Sequence, residues 1–439
     1  MKYQEALDYI ESLSSLGIVP GLESIQELCR RVGNPQDKLR FVHVAGTNGK
    51  GSTLAFISMI LQCAGYRVGR YTSPAVFEYR ERFLVNGKMI TQKDFCRLLG
   101  QVQEACEGMV RDGLAHPTPF EVETALAFLY YVEKDCDMVV METGMGGLLD
   151  ATNLVTNTEV AVLASISMDH MKFLGNSLGA IAEQKAGIIK KGCRVVSMAQ
   201  QPEAMEVVRD RAEAMECPLS VADSSKCKNI KYGIKKQSFS YGQWKNLEIT
   251  LAGKWQIDNA VLAVEAVGAL QEAGYEISEA ALRRGLRETV WPGRFCLVGN
   301  KPMMIVDGAH NEDAAGRLAE TIEFYFTNKR IIYIMGILKD KEYEKIISLT
   351  HSLADQIITV TPPGNPRAMQ AYELAQEIAK VHSQVTAADS LEEAVEISRL
   401  LAGKDDVIIA FGSLSYLGRL MEIVEKQEQK GSKKNGKSR

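Results

Sequence analysis

The segment Gly46-Thr47-Asn48-Gly49-Lys50-Gly51-Ser52 places three glycines, a lysine and two hydroxyls within seven residues. A strand-like run, Arg40 to Ala45, leads into it, and a helical pattern follows through Ile60 and Leu61 to Gly65. That order suits phosphate binding. Glycines let backbone N–H groups converge, the lysine adds a point charge, and a helix N-terminus favours anions. The spacing departs from Gly-x-x-x-x-Gly-Lys-Ser/Thr in two ways: Val44 stands where the first glycine belongs, and Gly51 separates Lys50 from Ser52. Other candidates sit at the ends of apolar runs. Glu142 closes Met138-Val139-Val140-Met141, where a carboxylate can reach a nucleotide-bound metal, and Asp307 closes Met303-Met304-Ile305-Val306. Arg294, in Trp291-Pro292-Gly293-Arg294, can clamp phosphates with two parallel hydrogen bonds. Gln256 and Asn259 share one helical face and can meet an adenine edge.

Local spacing also allows plainer roles. Ser73 before Pro74 reads as a turn hydroxyl, His170 as a loop histidine, and Lys185 as a solvated helix lysine beside Ala182, Ala186 and Ile189. Asp307-Gly308 reads as an ordinary turn, His310 as a histidine at a helix start, and Glu121 as a surface or capping residue.

The elements that must position these groups alternate along the chain. Apolar runs at 138–141, 160–163 and 195–198 read as buried strands with helices between them, which predicts a doubly wound, mostly parallel sheet. The stretch 231–250 is β-rich and polar, helices are expected at 256–273 and 277–286, and the Trp-Pro-Gly-Arg turn reads as a boundary. The cadence then restarts with strands at 303–306, 331–335, 356–360 and 407–410. The expected fold is α/β: a domain over 1–293 built on a P-loop-containing, mostly parallel sheet, then a smaller Rossmann-like α/β domain over 296–425. A basic, disordered tail is expected over 426–439. The chain has 439 residues, with 51 basic and 55 acidic side chains that nearly cancel. That balance excludes a broad cationic surface for nucleic acid. No apolar run reaches the ~18 residues of a spanning helix. Met1 to Leu16 carries acids where a signal peptide needs an apolar core, and the nine scattered cysteines form no Cys-x-x-Cys pair. A cytoplasmic protein, independent of membranes and nucleic acid, is expected.

His43-Val44-Ala45-Gly46-Thr47-Asn48-Gly49-Lys50-Gly51-Ser52-Thr53 resembles the loop of the folylpolyglutamate synthase and dihydrofolate synthase family, which is related to the Mur ligases of cell-wall synthesis. Further matches follow in family order: Tyr71-Thr72-Ser73-Pro74, Glu142 to Gly147 with Leu149-Asp150-Ala151-Thr152-Asn153, Asp169-His170-Met171, Glu183 to Ile188, Trp291 to Arg294, Asp307 to Asn311, and Phe411-Gly412-Ser413-Leu414. The resemblance implies Mg²⁺ contacts from Ser73, Glu142 and His170, and carbamylation of Lys185 to an anionic oxygen ligand. It assigns ATP to Thr47, Asn48, Gly49, Lys50, Gly51, Ser52, Gln256, Asn259, Arg294 and Asp307, and sets His310 near the reacting phosphate or incoming amine. Lys50, Lys185 and His310 carry the catalytic roles. On the acceptor side it implies Phe120, Glu121, Leu149, Asp150, Ala151 and Ser413. Three positions depart from the family pattern: Ala75 where many relatives have His, Leu148 where many have Arg, and Trp255 in place of the His before Gln256.

The chemistry implied is amide ligation. ATP phosphorylates a carboxylate, and an amine displaces the phosphate from the resulting acyl phosphate, a reaction that asks chiefly for positioning and charge neutralisation. By resemblance the acid is a folate or dihydropteroate and the amine L-glutamate. The enzyme is expected to be a monomer, with its site in a cleft between the domains that closes over ATP. A Mur-type ligase for another carboxylate and an inactive nucleotide-binding relative are the alternatives. No guanine-reading Asn-Lys-x-Asp segment is present.

Overall fold

The computed structural model describes residues 1–17 and 19–435. It divides into two compact units: Met1–Asn229 with Phe239–Glu248 and Ile257–Thr289, and Ile230–Ser238 with Ile249–Gln256 and the chain from Val290 onward.

The first unit is built on strands β1 (Phe41–Ala45), β2 (Val68–Tyr71), β3 (Phe83–Val85), β4 (Lys88–Met89), β5 (Met138–Glu142), β6 (Thr158–Leu163), β7 (Arg194–Met198) and β8 (Leu219–Ala222). Their order is β4-β3-β2-β5-β1-β6-β7-β8. The six from β2 to β8 are parallel, and the β3–β4 hairpin closes one edge antiparallel. β1 and β5 are buried at every residue, which is why they read as unbroken apolar runs. Chain order reverses around β1, so its C-terminal end is where such a sheet accepts ligands. The helix Lys50–Cys63 leaves that end with Leu54, Phe56, Ile57, Ile60 and Leu61 fully buried. Truncating one of the buried Leu or Ile side chains to alanine costs about 2–5 kcal/mol, so the loop before the helix is held by the core and not by its own bonds alone.

Strands β9 (Lys228–Lys231), β10 (Gln237–Tyr241) and β11 (Trp244–Ile249) form a separate sheet in the order β11-β10-β9, the β-rich excursion expected from the sequence.

The second unit carries β12 (Cys296–Asn300), β13 (Met303–Val306), β14 (Ile331–Met335), β15 (Gln356–Thr359), β16 (Val385–Ala387) and β17 (Val407–Phe411), in the order β12-β13-β17-β14-β15-β16. Only β12 is antiparallel. Phe295, Tyr333, Met335 and Phe411 help to fill its core. The last helix, Leu414–Asn435, runs past residue 426, where the sequence predicts a disordered tail. Lys, Glu and Gln are good helix formers, so a polar segment prolongs a helix already anchored by buried Tyr416, Leu417 and Leu420. The remainder of that predicted tail, 436–439, lies outside the described residues. Among the described residues no helix is long and apolar enough to cross a membrane.

Candidate active site

The phosphate loop joins β1 to the helix Lys50–Cys63. Gly49 is the N-cap, with φ +86°, and a Cβ there would run into Asn259 Oδ1, so the turn requires glycine on both counts. The loop is stapled to the end of β6. Thr47 N donates to Ser165 O (2.7 Å), Thr47 Oγ1 donates to Ser167 O (2.9 Å), and Ser167 N donates back to Thr47 Oγ1 (3.0 Å). Lys50 Nζ folds over its own loop, donating to Gly46 O (3.0 Å) and Thr47 O (3.1 Å).

A second lysine reaches the same carbonyl. Lys185, on the helix Leu178–Ala186 capped by Ser177, is 3% exposed and donates from Nζ to Gly46 O at 2.8 Å. Burial, with the Lys50 charge beside it, lowers its pKa to about 7. The solvated lysine that spacing suggests is therefore a buried, readily deprotonated amine. Its side chain reaches across 139 residues of sequence to the phosphate-loop backbone, and Gly147 packs against the backbone carbonyls of Gln184 and Lys185.

Glu142 ends β5 with its carboxylate buried, and Oε1 accepts Ser73 N at 2.8 Å. Ser73 thus sits beside Glu142 on the next loop of the same sheet. His170 caps the short helix Met171–Leu174 in the left-handed region (φ 50°), and its side chain is about 40% exposed, with Nε2 3.8 Å from Asp169 Oδ2. Among the described residues no three His, Cys, Asp or Glu side chains form a metal cluster. Mg²⁺ keeps several waters, so one carboxylate with a few neighbouring oxygens is an adequate donor set.

The residues expected on the acceptor side fall into distinct environments. Phe120 stacks on Tyr71, with centroids 6.0 Å apart, and packs over Gly144. Glu121 is a capping residue: Oε2 accepts both Thr118 N and Thr118 Oγ1 at 2.7 Å at the start of the helix Pro119–Glu133. Asp150 is nearly buried. Oδ2 accepts Met145 N (2.8 Å), while Oδ1 accepts Thr152 N (3.0 Å) and Thr152 Oγ1 (2.5 Å), knotting the loop after β5. Leu148 and Leu149 are exposed, and Ala151 is buried.

Sequence reasoning overlooked two groups in this unit. His43, read as part of a strand-like run, is a fully buried imidazole on β1. Arg82 and Tyr79 both hydrogen-bond the buried Glu123 carboxylate, tying the segment after Ser73 to the helix that bears Phe120. Burial raises the Glu123 pKa, and the Arg82 guanidinium opposes that rise. A histidine inside an apolar run is a legible sign of a buried polar group. The Arg82–Glu123 pair spans 41 residues and carries no local signal.

In the second unit, Asp307 follows β13 and organises the Trp-Pro-Gly-Arg turn. Oδ2 accepts Phe295 N (2.9 Å), Oδ1 accepts Ala309 N (2.8 Å), and Gly308 N donates to Gly293 O (2.8 Å). The turn reading of Asp307-Gly308 holds, and burial raises the Asp307 carboxyl pKa while the Arg294 guanidinium opposes the rise. His310 Nδ1 lies 2.8 Å from Gly308 O, so it carries the proton, and Nε2 presents the lone pair when the ring is neutral. Asn311 caps the helix Glu312–Tyr325. Ser413 follows β17, with Oγ 2.9 Å from Ser415 Oγ. Gln256 and Asn259 both lie buried on the helix Trp255–Glu272, and the Trp255 ring packs edge-on against Phe295.

A phosphate loop on a doubly wound sheet, with a buried carboxylate on the adjacent strand and a second α/β unit after it, defines an acid–amino-acid ligase of the Mur type. Residues 44–267 match the Mur ligase middle domain, and residues 293–414 match the Mur ligase glutamate ligase domain. The chain is 38% identical over 424 residues to the dihydrofolate synthase/folylpolyglutamate synthase of Bacillus subtilis, covering 94% of this chain and 97% of that one. It is 30% identical to the Escherichia coli enzyme of the same name, covering 97% of this chain and 96% of that one. Mycobacterium tuberculosis folylpolyglutamate synthase, solved with ADP and AMPPCP, superimposes with a TM-score of 0.88 at 27% identity, covering 96% of this chain and 99% of that one. The chain belongs to the dihydrofolate synthase/folylpolyglutamate synthase family.

Proposed function

We propose that the protein joins the amino group of L-glutamate to the carboxylate of a folate, as a folylpolyglutamate synthase, and to that of dihydropteroate, as a dihydrofolate synthase. The γ-phosphoryl of ATP passes to the acceptor carboxylate, the amine attacks the acyl phosphate, and inorganic phosphate leaves. What carries the reading is the convergence at one sheet edge of the phosphate loop, the buried Glu142 carboxylate and the low-pKa Lys185 amine. The named activities of the relatives support the substrates.

The residues of each unit take the following roles. The loop N–H groups and Lys50 hold the ATP phosphates, with Arg294, Asp307, Gln256 and Asn259 as further nucleotide contacts. Ser73, Glu142 and His170 would hold Mg²⁺, which would supply charge neutralisation on the phosphates when bound. Neutral Lys185 adds CO₂ at Nζ and loses a proton, becoming an anionic oxygen ligand. That step needs the unprotonated amine, and burial provides it near neutral pH. His310 offers Nε2 as a base toward the incoming amine. Phe120 and Asp150 face the acceptor, with Glu121 holding the helix start beside them, and Leu149, Ala151 and Ser413 complete the substrate contacts. The protein acts as a cytoplasmic monomer.

The test is incubation with ATP, Mg²⁺ and L-glutamate, offering dihydropteroate and reduced folates separately. Acceptor-dependent ADP release with a mass gain of one glutamyl unit is the expected result. Glutamylation confined to an unrelated carboxylate would support the Mur-type alternative, and absence of any turnover the inactive one.

A further inference from the structure

The buried chain His43–Thr152–Asp150 admits an assignment of its protons. His43 Nε2 lies 2.9 Å from Thr152 Oγ1, and Thr152 Oγ1 lies 2.5 Å from Asp150 Oδ1. His43 and Thr152 are both 0% exposed, and Asp150 is 7% exposed. A hydroxyl has one proton to give, and an ionised carboxylate can only accept. Thr152 therefore donates to Asp150, and its lone pair must receive a proton from His43. That requires the Nε2–H tautomer and leaves Nδ1 with a bare lone pair. Nδ1 is indeed buried without a hydrogen-bond partner. The opposite assignment would strand an N–H donor there.

The geometry points to His43 and Thr152 as positioning residues for the Asp150 carboxylate on the acceptor side of the site. This rests on the proposed role of Asp150 toward the acceptor. β1 carries His43 two residues before Ala45 and the phosphate loop, and Asp150 closes the loop that leaves β5, its neighbour in the sheet. Thr152 makes both its N–H and its hydroxyl proton available to one oxygen of Asp150, while Met145 N holds the other. Burial raises the Asp150 pKa, and these donors oppose that rise and fix the carboxylate in one rotamer, while the imidazole orients the hydroxyl. Burial holds His43 neutral, with its pKa lowered to about 3, so the relay keeps one polarity across the working pH range.

Two measurements test this. In ¹⁵N-labelled wild-type protein, the His43 resonances, identified by their loss in His43→Gln, are expected to report Nε2–H with no titration between about pH 5 and 8. A protonated Nδ1 would overturn the assignment. In steady-state kinetics, Thr152→Val is expected to raise KM for the acceptor about tenfold with KM for ATP unchanged, and Thr152→Ser to restore it. An acceptor KM unmoved in Thr152→Val, or raised in step with that for ATP, would reject the positioning role. If the wild type turns over neither dihydropteroate nor a folate, the substrate reading fails, while the tautomer measurement still decides the proton assignment.

Discussion

Gly49 and Gly65 bracket the helix Lys50–Cys63, and both adopt positive φ, +86° and +97°. An alanine at either position meets the same backbone penalty, about 1–2 kcal/mol for a left-handed L-residue. A stiffer unfolded chain returns about 0.4–1 kcal/mol. Net destabilisation of roughly 1 kcal/mol is expected for each from the backbone alone, a melting shift of about 2–4 °C in a unit of this size. The surroundings differ. A Cβ on Gly65 meets nothing within 4 Å, whereas on Gly49 it overlaps the Asn259 amide. Gly49→Ala must therefore displace the buried Asn259 or open the loop, and either change disturbs the loop N–H groups proposed to hold the ATP phosphates. The expected outcome is a lower melting temperature for Gly49→Ala than for Gly65→Ala, which shows the backbone penalty alone, with ATP KM raised at least about tenfold only in Gly49→Ala. Parallel calorimetry and ATP-dependent turnover check it. If Gly65→Ala raises the ATP KM equally, or Gly49→Ala leaves it unchanged, the reasoning fails.

Lys50→Ala is expected to abolish turnover while leaving the far-UV dichroism intact; a fully active variant would remove the loop lysine from the reaction. Intact-mass analysis in bicarbonate is expected to find a carboxyl adduct on Lys185, and an active but unmodified enzyme would defeat carbamylation. In bicarbonate-free buffer the sign of the pH effect follows from a folded pKa of about 7 lying below the ordinary 10.5. Between those values the unfolded chain binds more protons, so stability rises with pH, and the full charge penalty is felt below about 7. Lys185→Met is thus expected to exceed the wild type in stability most at about pH 6, by a margin that narrows toward pH 9; a flat margin would refute it. Asp307→Asn leaves one acceptor oxygen for the two N–H groups now held by separate oxygens. A loss of about 1–3 kcal/mol by denaturant titration is expected, with a lower kcat/KM, and unchanged stability would show that the turn does not depend on the charge.

Much of this architecture was legible because buried parallel strands announce themselves as apolar runs: β1, β5, β6 and β7 all fall where the runs lie. The glycine-lysine loop was legible because its spacing is constrained by a turn and a helix start. The β3–β4 hairpin was not, since strands of three and two residues are too short to establish a period. Burial of Lys185 escaped notice for a different reason: its helix is amphipathic only weakly, and the carbonyl its amine reaches lies 139 residues away. The capping role of Glu121 was legible locally. Thr118 three residues earlier made a capping box readable, and that is how its carboxylate is engaged.

One oxygen, the carbonyl of Gly46, takes protons from two amines, those of Lys50 and Lys185. The carbonyl has two lone pairs and holds both donors at once, which brings two amines close together on one acceptor. Carbamylation of Lys185 would turn one of them into a counter-ion, and the grip on Lys50 would pass from backbone to side chain. Whatever alters the charge on Lys185 therefore acts on the neighbouring lysine through the oxygen they share.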